Sequence, residues 1–249
     1  LNYFRSLLRE GEQVMAMVKA SGYGNGTFEV ANMLEQQGVG FLAVAFADEG
    51  VALREAGITM PIVVLNADSD SFDLMLDYRL EPEIYSRSSL QSFAETVRRN
   101  GETDYPIHIK LDTGMHRLGF ERQDIDPLID ALKTIPELYI RTIFTHLAGS
   151  DEARHDDFTR GQIALCGQLQ IVPLLGGGER LWKGAAGACQ MQGTEHAAEH
   201  EPDSGRKHGN LTSCKECIPR RLVQIPHFPR GQALTEAEGR QAERGRPET

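Results

Sequence analysis

The sequence has no run of eighteen apolar residues, and only four cysteines in 249 positions, Cys166, Cys189, Cys214 and Cys217. The first absence excludes a membrane-spanning helix. The second excludes the disulfide framework on which small secreted domains depend. The opening residues, with Arg5, Arg9 and Glu10 among short apolar pieces, lack the pattern of a secretory signal, which points to the cytoplasm. Positive charge is also scarce. A formal net charge of −10 argues against a general nucleic-acid surface, so a small anionic ligand would need cations gathered locally. Nor does the first strand-like run lead into Gly-x-Gly-x-x-Gly, the loop expected of an open nucleotide-binding sheet.

The chain has two compositional parts. Residues 1–170 hold 15 basic and 26 acidic side chains, a net −11, whereas 171–249 hold 11 basic and 10 acidic ones. In 171–249 only 12 of 79 residues are Leu, Ile, Val or Phe, too few for burial to offset the entropy of ordering the chain. We therefore expect 163–249 to be an atypical, disordered tail.

Before that tail, strand-like apolar runs recur at Val14–Ala20, Phe41–Phe46, Pro61–Asn66, Glu83–Ser86, Ile107–Leu111 and Ile140–His146. Helical stripes lie between them: Leu90, Phe93, Ala94 and Val97 behind a Ser88 cap, and Ile125, Leu128, Ile129 and Leu132. Gly38 and Gly57 sit where helices should end. Repeated βα units fit either a (β/α)8 barrel or an open sheet. Lys19, Lys110 and His146 all fall near C-terminal strand ends, where barrel enzymes put their chemistry, so the barrel is favoured. The expected class is α/β, a TIM-type (β/α)8 barrel, incomplete at about six βα units. In the tail, Ile171–Leu175 is interrupted by Gly176-Gly177-Gly178, and only Arg221–Ile225 regains a strand-like look.

The residue that suggests a chemistry is Lys19. It follows Val14-Met15-Ala16-Met17-Val18 and precedes Ala20-Ser21-Gly22-Tyr23-Gly24-Asn25-Gly26. A strand can fix such an amine while a glycine-rich turn offers N–H groups to a phosphate, an arrangement suited to a pyridoxal phosphate Schiff base. Taken alone, a strand-end lysine is more often a solvated charge. A second segment, Lys110-Leu111-Asp112-Thr113-Gly114-Met115-His116-Arg117-Leu118-Gly119-Phe120, and a third, Thr145-His146-Leu147-Ala148-Gly149-Ser150-Asp151-Glu152, complete a pattern in which the chain strongly resembles the alanine racemase family over about residues 1–162. Its flavour is that of the racemase half of ligase–racemase fusions of cell-wall synthesis.

The resemblance implies a pyridoxal 5′-phosphate-binding barrel. It also implies interconversion of L-alanine and D-alanine through an external aldimine, for peptidoglycan precursors, in a homodimer and without membrane or nucleic-acid partners. It gives Lys19 the roles of cofactor anchor and one of two bases, and gives Tyr23 the cofactor phosphate. Arg117 is matched to the residue at the cofactor's phenolic oxygen and the substrate carboxylate, Lys110 to an often carbamylated lysine, and His146 to a histidine beside the cofactor. Gly22 stands where alanine is usual, a change expected to loosen the loop slightly. The second base would be a tyrosine from the partner's C-terminal domain. Its Gly-Tyr-x-Asp-Gly setting is not found here, so the chain is expected to be catalytically incomplete. Likeness ends so abruptly that a reading-frame shift or an assembly error near residues 163–170 is expected, which the nucleotide sequence would test. One alternative is a cofactor-binding barrel without turnover. Another is a zinc or partner-binding tail built on Cys214-Lys215-Glu216-Cys217 with His196 and His200, although their order is reversed relative to common zinc fingers.

Overall fold

The computed structural model describes residues 1–6, 8, 12–169, 188–191 and 222–225. After a short helix α1 (Asn2–Ser6), strands β1 (Gln13–Met17), β2 (Phe41–Val44), β3 (Ile62–Val64), β4 (Glu81–Ile84), β5 (Tyr105–Leu111) and β6 (Leu138–Leu147) pair in parallel, each with the next. Between and after them run α2 (Lys19–Gly24), α3 (Thr27–Gln36), α4 (Ala47–Glu55), α5 (Phe72–Asp77), α6 (Arg87–Arg99), α7 (Ile125–Lys133) and α8 (Asp156–Gln168). These are the six expected βα units. Two four-residue strands, β7 (Ala188–Met191) and β8 (Leu222–Ile225), carry the backbone ladder from β6 back to β1 and close the ring. The second falls where the tail regains a strand-like sequence. The Cys214–Cys217 pair, His196 and His200 lie outside the described residues, as does most of the expected tail. No helix among the described residues is long and apolar enough to cross a membrane.

The sequence produces two apolar layers because residues alternate across each strand. Ile107, Ile109 and Leu111 of β5 face outward with Leu138 and Ile140 of β6, and meet the helix stripes in one buried shell. The stripe Leu90, Phe93, Ala94 and Val97 of α6 belongs to it. Phe93 lies edge-on to Phe72 at 5.0 Å and to Tyr105 at 5.5 Å. Burying each such ring contributes roughly 1.5–3 kcal/mol. The cap of α6 is Ser86, not Ser88: Ser86 is extended and its hydroxyl accepts from Ser89 N, whereas Ser88 already lies within the first turn. Helices α3 and α4 end just before Gly38 and Gly57, as expected.

Inside the ring, Met15, Met17, Phe41, Ala43, Val63, Leu65 and Phe144 form a second, smaller cluster. Next to it are buried polar residues. His108 Nε2 lies 2.8 Å from Glu81 Oε2 and its Nδ1 lies 2.6 Å from Thr142 Oγ1, while Arg141 pairs with the other Glu81 oxygen. Strand β1 stops at Met17, three residues short of the expected run, because the chain then turns left-handed.

Candidate active site

Lys19 is half-buried at the end of β1, where Val18 N still donates to Ala43 O of β2 at 2.9 Å. Beyond it, α2 is a left-handed turn: Ala20, Ser21, Gly22 and Tyr23 have φ between 53° and 59°. Gly22 N donates to Val18 O at 3.1 Å, and Gly26 N to Ser21 O at 3.0 Å. Three of these four residues carry a Cβ, at about 1–2 kcal/mol each, so the turn stores roughly 3–6 kcal/mol that tertiary bonds must offset. At Gly22, with φ +59°, glycine is the residue that avoids strain, and a Cβ there would meet Val30 Cγ2 at 3.4 Å. Tyr23 packs against the inner cluster, and burial, with the nearby Glu49 charge, pushes its phenol up.

Lys110 sits inside the ring on β5, only 5% exposed, with its Nζ 4.5 Å from the centroid of Phe144. On the adjacent β4, Glu83 is 2% exposed. Burial raises the Glu83 carboxyl from its ordinary 4.5 to about 7, opposed by Lys110, then Arg117, then Lys19. Burial likewise lowers the Lys110 ammonium, with Glu83 the strongest opposing influence. These four side chains therefore feel one another at one end of the barrel. Arg117 is exposed on the loop that leaves β5. That loop is held by Asp112, whose carboxylate accepts from Gly114 N at 2.8 Å and His116 N at 3.1 Å. Burial opposes ionisation of Asp112, but these N–H bonds prevail and hold it below the usual range.

His146 is 3% exposed near the end of β6. Its carbonyl accepts from Gln162 Nε2 at 2.9 Å, and the same nitrogen donates to Thr113 Oγ1 at 3.2 Å. Thr113 in turn bonds Thr145 Oγ1 at 2.7 Å. Gln162 of α8 thus ties the ends of β5 and β6 together.

The structure places Lys19, Lys110 and Arg117 near enough to Glu83 for their charges to act on it, sets Tyr23 on the inner cluster, and puts His146 at the neighbouring strand end. Sequence reasoning missed Glu83 and Gln162. Glu83 carried a signal, since a charged residue within a run taken for a buried strand needs a partner. Gln162 carried none, because its partners lie on two other elements. An amine at a strand end, a phenol, a guanidinium and a second amine suit an anionic carbonyl compound better than a metal ion.

Residues 1–173 match the family described as alanine racemase, N-terminal domain. Alanine racemase of Geobacillus kaustophilus is 38% identical over 171 residues, covering 68% of this chain and 44% of that protein. Alanine racemase of Synechocystis is 35% identical over 151 residues, covering 60% and 40%. The chain therefore spans less than half the length of these relatives. Among solved structures, alanine racemase of Clostridium difficile 630 superposes with a TM-score of 0.71 at 25% identity, covering 94% of this chain and 57% of that one. A Bartonella henselae alanine racemase with covalently bound pyridoxal phosphate superposes at 0.68 with 19% identity, covering 90% and 57%, a likeness of fold alone.

Proposed function

This chain belongs to the alanine racemase N-terminal domain family, and from that premise we propose that it is the pyridoxal phosphate-holding barrel of a cytoplasmic alanine racemase, with 1–162 as the partial barrel and 163–249 as a tail whose first eleven residues still fall within the family match. The observation that carries the reading is the placement of Lys19, Lys110 and His146 at or beside the C-terminal ends of parallel strands of one barrel, with the Lys19–Gly24 turn after β1 and Arg117 on the loop after β5. The donor set fits the group. Lys19 would anchor it through its amine, Tyr23 would donate to its phosphate, and Arg117 would face its phenolic oxygen and the substrate carboxylate. When bound, the cofactor supplies an electron sink that acidifies the substrate Cα–H.

The protein's own part is to hold and move protons. Lys19 takes a proton from, or returns it to, one face of the alanine Cα. The planar fork of Arg117 fixes the carboxylate, so that the C–H points at that amine. His146 would orient its neighbours from the adjacent strand end. Inversion needs a donor on the opposite face, and the family's Gly-Tyr-x-Asp-Gly segment is not found in the sequence. A barrel that holds cofactor without inverting substrate is therefore the second reading.

Borohydride reduction of the chain with pyridoxal phosphate should fix the cofactor on Lys19, and Lys19→Ala should remove the adduct. With alanine in D2O, deuterium should enter one enantiomer faster than the other. Net racemisation should stay below that of complete enzymes by more than the roughly 10²–10⁴-fold that one general acid or base contributes. Fixation at another lysine refutes the anchor, and racemisation at about 10 per second or faster refutes the one-base reading.

A further inference from the structure

Glu49, the third residue of α4, looks at first like a helix cap. One carboxylate oxygen, Oε2, accepts from Ala45 N at 2.6 Å and Phe46 N at 3.3 Å, closing the entry from β2 into α4. The capping role is met by that oxygen alone. The other, Oε1, reaches across to accept from Ala20 N at 2.7 Å. Ala20 is the first left-handed residue of α2 and directly follows Lys19.

We propose that Glu49 is a positioning residue for Lys19: its second oxygen pins the peptide after the lysine while Ala43 O pins Val18, so the amine leaves a backbone held on both sides. This rests on the proposed role of Lys19. The structure supports it in three ways. The contact spans 29 residues, so it does not belong to local helix capping. It falls where a run of positive-φ residues begins, the point at which the turn would otherwise relax to an ordinary conformation. Glu49 also acts on Tyr23, at the far end of the same turn, so one carboxylate holds the peptide after Lys19 and acts on the phenol that α2 would offer to a ligand. Only a carboxylate has acceptors on both sides. Glutamine at 49 would present its NH2 group to one of these N–H donors, and aspartate, shorter by a methylene of about 1.5 Å, would withdraw from Ala20.

Amide exchange in the full chain without cofactor, followed by the rate of borohydride-fixable adduct formation at Lys19 with pyridoxal phosphate, tests this for Glu49→Asp and Glu49→Gln. Exchange at Ala20 should quicken about tenfold, as for one lost hydrogen bond, while β1–β3 amides keep their wild-type rates. Adduct formation at Lys19 should slow about tenfold. Unchanged exchange of the β1–β3 amides in each variant guards against simple unfolding. Unchanged Ala20 exchange in both variants overturns the pinning. Faster exchange with an unchanged adduct rate overturns the positioning role and leaves Glu49 a cap. No Lys19 adduct in the wild type refutes the proposed function instead, a failure the exchange result does not share.

Discussion

Replacing Gly119 by alanine should be among the most damaging single-methyl additions to this barrel. After leaving β5, the chain carries Arg117 round a loop and returns at Phe120, which bridges Leu111. Phe120 N donates to Lys110 O at 2.9 Å, and Phe120 O accepts from Asp112 N at 3.0 Å. Gly119 lies inside that return with φ +132°. A Cβ there would stand 2.5 Å from Asp112 N and 2.6 Å from Leu111 C, both backbone atoms that no rotamer change can move. Restoring ordinary contact means opening the return by nearly an ångström, which sacrifices both bridging bonds at about 1 kcal/mol each. The positive φ adds about 1–2 kcal/mol, giving roughly 3–4 kcal/mol in all. Gly101→Ala is the internal control, because Gly101 also has positive φ (+71°) but nothing within 4 Å of its Cβ position. It should cost only the backbone portion, about 1–2 kcal/mol. Urea unfolding of both variants reads the difference, since the effect of alanine on the unfolded chain is common to them. If Gly119→Ala and Gly101→Ala unfold at the same midpoint, the close return is not what holds the Arg117 loop.

Two further outcomes follow from buried charge. Burial raises the Glu83 carboxyl from 4.5 to about 7, so the folded chain keeps a proton that the unfolded chain releases. Stability should therefore fall as pH rises from about 4.5 to about 7 and level off above, by an amount on the order of 3 kcal/mol from this group. Glu83→Gln should remove that slope, so the variant gains on wild type between pH 5 and pH 8; parallel stability curves would contradict the buried-carboxyl argument. Arg54 donates to four backbone carbonyls, Tyr78 O at 3.0 Å, Ile58 O at 2.9 Å, Met60 O at 2.7 Å and Arg79 O at 3.1 Å. Arg54→Lys keeps the charge but not the fork, and should cost about 2–4 kcal/mol in thermal or urea unfolding; a loss below 1 kcal/mol would show these bonds to be replaceable.

The strands that were easiest to find in the sequence are those whose outward and inward residues are both apolar. Phe41–Val44 and Ile62–Val64 read as continuous hydrophobic runs, as parallel strands buried on both faces must. Strand β4 begins two residues earlier than expected. Its Glu81 and Pro82 look like loop residues, and only tertiary structure supplies the His108 and Arg141 partners that make Glu81 tolerable inside the ring. The helix stripes were legible from spacing, whereas the Ser86 cap lay two residues from its expected place because three serines stand within four residues. Lys19, Lys110, Arg117 and His146 were readable as a set through family motifs, not through any property of each alone. The left-handed course of α2 was not readable at all. Alanine, serine and tyrosine do not favour positive φ, and the carboxylate that bonds Ala20 N lies 29 residues away.

The polar residues inside the ring fall into two levels, and their difference bears on where chemistry can occur. Side chains two apart on one strand face project from the same side about 6.6 Å along it. Glu81 and His108 therefore form a lower level, and Glu83 and Lys110 an upper one. The lower level is closed: Glu81 is shared by His108 and Arg141, and Thr142 takes the other imidazole nitrogen. Its hydrogen-bonding capacity is spent within the protein, so it serves as a floor. In the upper level, three cations, Lys110, Arg117 and Lys19, act on Glu83. Among the described residues two further carboxylates border this end: Asp112, engaged by the N–H groups of its own loop, and Glu49, engaged by the N–H groups of Ala45, Phe46 and Ala20. Protonation of Glu83 removes one negative charge from this level, so the balance of charge there shifts toward positive as pH falls. Residues 1–170 carry a net −11, so the field of the chain as a whole would repel an anion. Local attraction would come from these few groups, of which Lys110 is buried, Lys19 half-buried and Arg117 exposed, so solvent screens them unequally. On the proposed function, a small phosphate-bearing ligand would be held at the Lys19 end of the barrel and not at its floor.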